Sequence, residues 1–313
     1  MAELETLLKQ AVDAHASDIF IMAGMPLTYK ANGRMVHLNE EKIMPPQSEA
    51  LVREIYAFGG RDVEQVLETG DDDFSITVPN LSRFRISIYK QRGSLAAVIR
   101  VIPFGIPDYK TLQIPESVMA VAEKTKGLVL VTGPAGGGKS TTLACVIDRI
   151  NQTREGHIIT LEEPIEYLHR NAKCAVSQRE IGLDTESYLS GLRASLRQAP
   201  DVILLGEMRD YETIRTAMTA AETGHLVIAT LHTIGAANTI DRIIDVFPAN
   251  QQQQIRVQLA MVLQTVISQQ LVPLSDGGMA PVFEIMHLNS AVRNMVRESK
   301  VHQLDALIAS SAG

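Results

Sequence analysis

The chain has 313 residues, 45% hydrophobic and 21% charged, which leaves room for two cored domains and excludes a disordered polymer. A net charge of −7 provides no global basic field for nucleic acid, and the two cysteines, Cys145 and Cys174, have neither zinc-site spacing nor the density of a disulfide framework. No apolar run approaches the roughly 18 to 20 residues that cross a bilayer, so a soluble protein of a reducing compartment is expected.

Residues 3–14 carry apolar side chains at positions 4, 7, 8, 11 and 12, a helical spacing. With the acidic start Met1-Ala2-Glu3-Leu4-Glu5, this predicts an amphipathic helix rather than a signal peptide. Ser17 to Met22 reads as a strand. Asn32-Gly33, set between Leu27–Lys30 and Met35–Leu38, predicts a hairpin. A helix is expected over 47–57, then strands at Phe74–Val78, Arg83–Tyr89 and Ala96–Ile102. Strands outnumber helices, so residues 1–102 read as a small α+β domain.

Two prolines and a glycine within Pro103–Pro107 stop regular structure, because proline lacks the amide donor and restricts its neighbour. Residues 103–115 are therefore expected as an interdomain linker, and 116–313 as a second domain. There the pattern changes to short, wholly apolar strands at Leu128–Thr132, Ile158–Leu161, Val202–Leu205 and Leu226–Thr230, each followed by a helical stretch. Such runs predict a parallel sheet covered on both faces. Residues 251–271 read as a helix, and 281–310 as a strand and two helices.

The chemistry starts at Gly133-Pro-Ala-Gly136-Gly137-Gly138-Lys139-Ser140, which follows the strand Leu128–Thr132 and opens a helix at Thr141. This is the phosphate-binding G-x-x-x-x-G-K-[ST] loop in its required context. Glycines let backbone N–H groups converge on phosphates, and the helix start adds partial positive charge. Lys139 is expected to reach the β- and γ-phosphates of ATP, and Ser140 to ligate Mg²⁺. Asp201–Glu207 is a buried strand followed by an acid; Glu207 is expected to hold the Mg²⁺ through water. Between them, Glu162, Glu163 and Glu166 crowd three carboxylates after another strand, where one acts as the base for an attacking water. His225 and His232 bracket the strand Leu226–Thr230. His232 stands at the carboxyl end, where such sheets bind ligands, and is placed to sense the γ-phosphate. No other ligand clusters with them, so zinc is not expected.

In order and spacing, GPAGGGKST, LEEPIEYLH, DVILLGEMRD and AETGHLVIATLHT resemble the Walker A, Asp-box, Walker B and His-box segments of the secretion ATPase superfamily. The likeness is strongest to the PilT/PilU group of pilus retraction motors and runs over nearly the whole chain. The stretch AVRNMVRES at 291–299 resembles that group's retraction signature, whereas extension and secretion relatives carry a four-cysteine zinc motif absent here.

The resemblance implies a PAS-like amino-terminal domain and a RecA-like ATPase domain. It gives Glu166 the base role, Glu207 the Walker B role, and His225 and His232 the His-box roles. Arg83, Arg85, Arg92 and Arg100 match the region that offers positive charge to phosphates, and which of them does so stays open. It further implies a homohexamer that drives pilus retraction, a cytoplasmic location at the inner membrane, and a pilus platform protein as partner, with a paralogous retraction ATPase as a second. Glu163 stands where the group usually has Asp, and Ala135 and Gly137 replace the commoner Thr and Ser, so no required group is lost. LRQAPD at 196–201 is similar to the PilU branch, while GEMRDYETIR and AVRNMVRES favour PilT. The chain stops soon after residue 300, earlier than is usual in the group, so a missing carboxyl-terminal segment is expected. Alternatives at this point are an assembly or secretion ATPase, and an accessory ATPase that assists a stronger motor.

Overall fold

The computed structural model describes residues 2–31, 33–102, 105–275 and 279–311. It divides into two units, Met1–Gly105 and Ile106–Gly313.

The first unit runs α1 (Ala2–Asp13), β1 (Asp18–Ile21), β2 (Pro26–Ala31), β3 (Arg34–Lys42), α2 (Pro45–Phe58), α3 (Glu64–Thr69), β4 (Asp71–Val78), β5 (Ser82–Gln91) and β6 (Ser94–Ile102). Among the described residues the strands form one antiparallel sheet in the order β3-β2-β1-β6-β5-β4. Helix α1 buries Leu4, Leu7, Leu8 and Ala11, the stripe expected from its spacing. They join Leu51, Val52, Ile55 and Tyr56 of α2 against Phe84, Ile86, Ile88 and Ile99 of the sheet. The hairpin pairs Lys30 with Met35 and Ala31 with Arg34. Asn32, half of the expected turn dipeptide, lies outside the described residues, while Gly33 takes φ +75°. Strand β3 continues past the expected Leu38 to Lys42 through polar residues, because an edge strand exposed along most of its length needs no apolar face.

The second unit runs α4 (Glu116–Met119), a 3₁₀ turn at Ala120–Glu123, β7 (Gly127–Thr132), α5 (Lys139–Thr153), β8 (Gly156–Glu162), β9 (Cys174–Glu180), α6 (Tyr188–Ser195), β10 (Val202–Leu205), α7 (Tyr211–Glu222), β11 (Leu226–Leu231), α8 (Ala236–Asp245), α9 (Ala249–Val262), β12 (Leu263–Pro273), β13 (Met279–His287), α10 (Ser290–Arg297) and α11 (Leu304–Ser311). Its sheet has the order β13-β12-β7-β11-β10-β8-β9 and is parallel except for β13. Alternate side chains serve two cores. Leu128 and Leu130 pack with α7, α8 and α9, whereas Val129 and Val131 pack with α4 and α5.

Two expectations need correction. The helix predicted over 251–271 ends at Val262, and Leu263 begins β12, whose Val266 and Ile267 pair in parallel with Leu130 and Val131 of β7. Burial beside β7 favours the β-branched pair in a strand over continued helix.

The linker expected at 103–115 is also different. Pro103 and Phe104 lie outside the described residues, but from Ile106 onward the chain packs into the second unit. Ile114 is buried, and Ile106, Tyr109 and Leu112 lie against the core beside α5. Arg149 of α5 fastens this segment: it pairs with Glu116, donates to the Tyr109 hydroxyl at 2.9 Å, and stacks 4.8 Å from the Tyr109 ring. Strand β6 thus ends at Ile102, and the residues from Ile106 onward are not freed.

Candidate active site

Strands β7, β8, β10 and β11 are parallel neighbours, so their carboxyl ends open on one side of the sheet, and the segments that leave them line one cavity of about 240 Å³. Its walls include Gly136, Lys139, Ser140, Glu166, Glu207 and His232. Four stretches separated by up to about a hundred residues in sequence are brought together by strand order alone.

Gly133 to Gly138 form the loop between β7 and α5. Gly138 caps α5 with φ +80°, a left-handed conformation that side chains disfavour, and this lets the first helical amides face the cavity. Lys139 is buried, and its ammonium donates to the carbonyls of Gly133 and Pro134 at 2.8 and 2.9 Å. Desolvation lowers its pKa, while the charges of Glu207 and Glu166 oppose that shift. Ser140 lies on the cavity wall. Thr141 shares a hydrogen bond with the Tyr167 hydroxyl at 2.9 Å. Thr141 and Gly138 also border a second groove of about 270 Å³, walled by Thr111–Ile114, Leu271 and Met279.

The three clustered carboxylates separate by environment. Glu163 and Glu166 are exposed around the Glu163–Pro164 cis peptide. Glu162 turns inward and accepts from Thr160 Oγ1 at 2.6 Å and Gln178 Nε2 at 3.1 Å. Loss of solvent holds its carboxyl above the usual range, and the Glu166 charge adds to the shift. Glu207, just past β10, is mostly buried and doubly held: Arg209 Nε lies 2.6 Å from one oxygen and His232 Nε2 lies 2.9 Å from the other. Arg209 also reaches toward Glu163 at 3.8 Å. The cavity therefore pairs a phosphate-type loop with a carboxylate–histidine contact and an exposed carboxylate.

His225 is not brought to this cavity. It sits at the amino end of β11, near the Ala220 carbonyl at 3.0 Å and Thr223 Oγ1 at 3.3 Å, a full strand of about 20 Å from His232. Arg83, Arg85, Arg92 and Arg100 belong to the first unit. Arg85 and Arg100 are cross-strand partners on β5 and β6, Arg100 pairs with Asp18 at 3.0 Å, and Arg92 stands in the turn between the strands.

Among the described residues no group of three or more His, Cys, Asp and Glu side chains forms a metal cage. Ser140 and Glu207 supply a hydroxyl and a carboxylate, an all-oxygen donor set that suits Mg²⁺ carried largely by phosphate oxygens. Sequence reading missed Arg209, Tyr188 on the cavity wall, and the groove beside Thr111–Ile114. GEMRD was visible as a motif, but nothing in it announced which partner the arginine holds.

A family model described as type II/IV secretion system protein matches residues 2–305. The chain belongs to that family. This family member is 45% identical over 307 residues to the type IV pilus retraction ATPase PilT of Pseudomonas aeruginosa, covering 98% of this chain and 88% of that protein. It is 39% identical over 310 residues to the type IV pilus ATPase PilU of the same organism, covering 99% of this chain and 81% of that one. A crystal structure of the pilus retraction motor PilT with bound ADP superposes with a TM-score of 0.88 at 45% identity, covering 97% of this chain and 88% of that one. No helix among the described residues is long and apolar enough to cross a membrane.

Proposed function

We propose that this family member is a PilT-type motor ATPase that hydrolyses Mg-ATP to drive retraction of a type IV pilus. The observation that carries the reading is the single cavity in which Lys139, Ser140, Glu166, Glu207 and His232 meet at the carboxyl ends of parallel strands. The PilT relative supports the pilus assignment.

In the proposed mechanism the triphosphate lies along Gly133–Gly138 and the α5 amino terminus, with Lys139 moving from the loop carbonyls to the β- and γ-phosphates. The nucleoside end enters the groove beside Thr111–Ile114. Ser140 directly and Glu207 through water would hold Mg²⁺, which would neutralise phosphate charge. Glu166, exposed and acidic, orients the attacking water and accepts its proton, while His232 reports the γ-phosphate to Glu207. One or more of Arg83, Arg85, Arg92 and Arg100 offers charge to phosphate from another copy in a homohexamer. The PAS-like reading of the first unit, a cytoplasmic location peripheral to the inner membrane, and a pilus platform protein as recipient of the force complete the proposal. His225 has no part in water activation within its own subunit.

The test is steady-state ATP hydrolysis by the purified chain with assembly mass recorded alongside. A magnesium-dependent hexameric ATPase is expected, and Glu166→Gln should bind nucleotide yet lose roughly 10² to 10⁴ in kcat. A wild-type hexamer that binds ATP and does not hydrolyse it would instead support an accessory role, a second reading favoured by LRQAPD and by the PilU relative.

A further inference from the structure

Strand β12 runs beside β7, and its Ser268 pairs with Thr132, the last residue before the phosphate loop. Gln269 therefore lies level with Gly133. It is 2% exposed, and its carbonyl oxygen would stand 2.0 Å from any Cβ placed on Gly133, which takes φ +139°. Its side chain reaches the other end of the loop. Gln269 Oε1 accepts from Thr142 Oγ1 at 2.8 Å, in the first turn of α5, and Nε2 lies 2.8 Å from where a Cβ on Gly138 would be. One buried glutamine thus fills the inside of the loop and holds both of its ends.

Adjacent residues of a strand point to opposite faces, and the neighbour, Ser268, serves a different loop. Ser268 Oγ accepts the Gly235 amide at 2.9 Å, and Glu284, its cross-strand partner on β13, accepts the Ala236 amide at 2.6 Å. These are amino-terminal amides of α8, otherwise without helical partners, and they end the short loop that carries His232. The sheet supplies a cap that the helix's own sequence does not: the cap residue is Gly235.

We propose that Ser268-Gln269 is a two-sided positioning element for ATP hydrolysis, Gln269 fixing the phosphate loop for nucleotide binding and Ser268 fixing the His232 loop for turnover. The inference rests on the reading of Gly133–Ser140 as the phosphate site, and neither residue touches the reacting atoms.

The experiment measures Mg-ADP affinity, kcat and the melting temperature without nucleotide for the full chain. Gln269→Leu, which keeps side-chain bulk, and Thr142→Val should each weaken Mg-ADP binding about five- to tenfold, the loss that one hydrogen bond brings. Thr142→Ser should recover most of what Thr142→Val loses, and the double variant Thr142→Val/Gln269→Leu should be no worse than the weaker single one. Ser268→Ala should lower kcat several-fold while its Mg-ADP affinity stays within about twofold of wild type, since its hydrogen bond serves the other loop. A fall in melting temperature with unchanged affinity and kcat would reduce the pair to structural packing and overturn the proposal. Additive losses in the double variant, or identical profiles for Ser268→Ala and Gln269→Leu, would also overturn it. Lys139→Ala is the control: if it leaves Mg-ADP binding intact, the phosphate-site reading itself fails, whatever Gln269 does.

Discussion

Along β5 of the first unit every second side chain from Ser82 to Ile88 is buried and its neighbours are half-buried, whereas β7, β10 and β11 of the second unit are buried at every position. The first sheet keeps one polar face, and Arg83, Arg85, Ser87 and Tyr89 lie along it. The second has helices over both faces, so the side chains of β7, β10 and β11 are buried, and Leu204 and Thr230 border only the cavity at the strand ends. Its chemistry is displaced to the strand ends: Lys139, Glu166, Glu207 and His232 all stand just past a strand or further along the segment that leaves it. One-sided burial leaves a face for function, and two-sided burial leaves only an end.

Lys139→Ala gives the largest expected effect. It should cost at least about a hundredfold in kcat/KM, as loss of a preorganised group on developing phosphate charge does, and leave the urea unfolding midpoint near wild type. Loss of the fold instead would show that the strand-end groups are not separable from the core, and the contrast would break.

Neighbouring core positions sharpen it. Val227→Ala and Ile228→Ala, adjacent in β11, should each cost about 2 to 4 kcal/mol by urea unfolding, since both faces are packed. In β5 only one of two neighbours should matter. Ile86→Ala should cost a similar amount, while Ser87→Ala stays within about 0.5 kcal/mol.

A pH titration tests the interior beside the cavity. Burial lowers the His169 pKa from its ordinary 6.5 to about 4, with the Asp148 charge opposing. The unfolded chain then takes up the proton first, so this contribution is fully favourable above pH 6.5 and is lost as pH falls toward 4. Stability should drop by about 2 kcal/mol between pH 8 and pH 5 from this group alone, and His169→Gln should flatten that slope. A smaller effect belongs to the polar face of the first sheet. Arg100→Ala, which removes the exposed partner of the mostly buried Asp18, should cost about 1 kcal/mol, since the arginine end is solvated and Ser17 still donates to the carboxylate.

Much of this was legible because the signals are local. The phosphate loop, the strand before Glu207 and the apolar stripe of α1 are each written in a few adjacent residues. What stayed hidden depends on neighbours far away in sequence. Val266 and Ile267 form a strand because β7 lies beside them, while a short apolar run behind Gln251–Gln254 reads equally well as the end of a helix. Gln269 vanished into that misread helix. His225 differs for a related reason: the resemblance grouped it with His232, yet a parallel strand has a binding end and a far end, and His225 stands at the far end.

Helix α5 is a stiff rod of 15 residues, about 22 Å long, that starts at the phosphate loop and ends near Arg149's grip on Tyr109 and Glu116. A helix of this length resists bending, so a displacement of the loop would be carried to its far end. It arrives at Tyr109, four residues beyond the boundary between the two units. The phosphate loop and the first residues of the second unit are therefore joined through one rigid element.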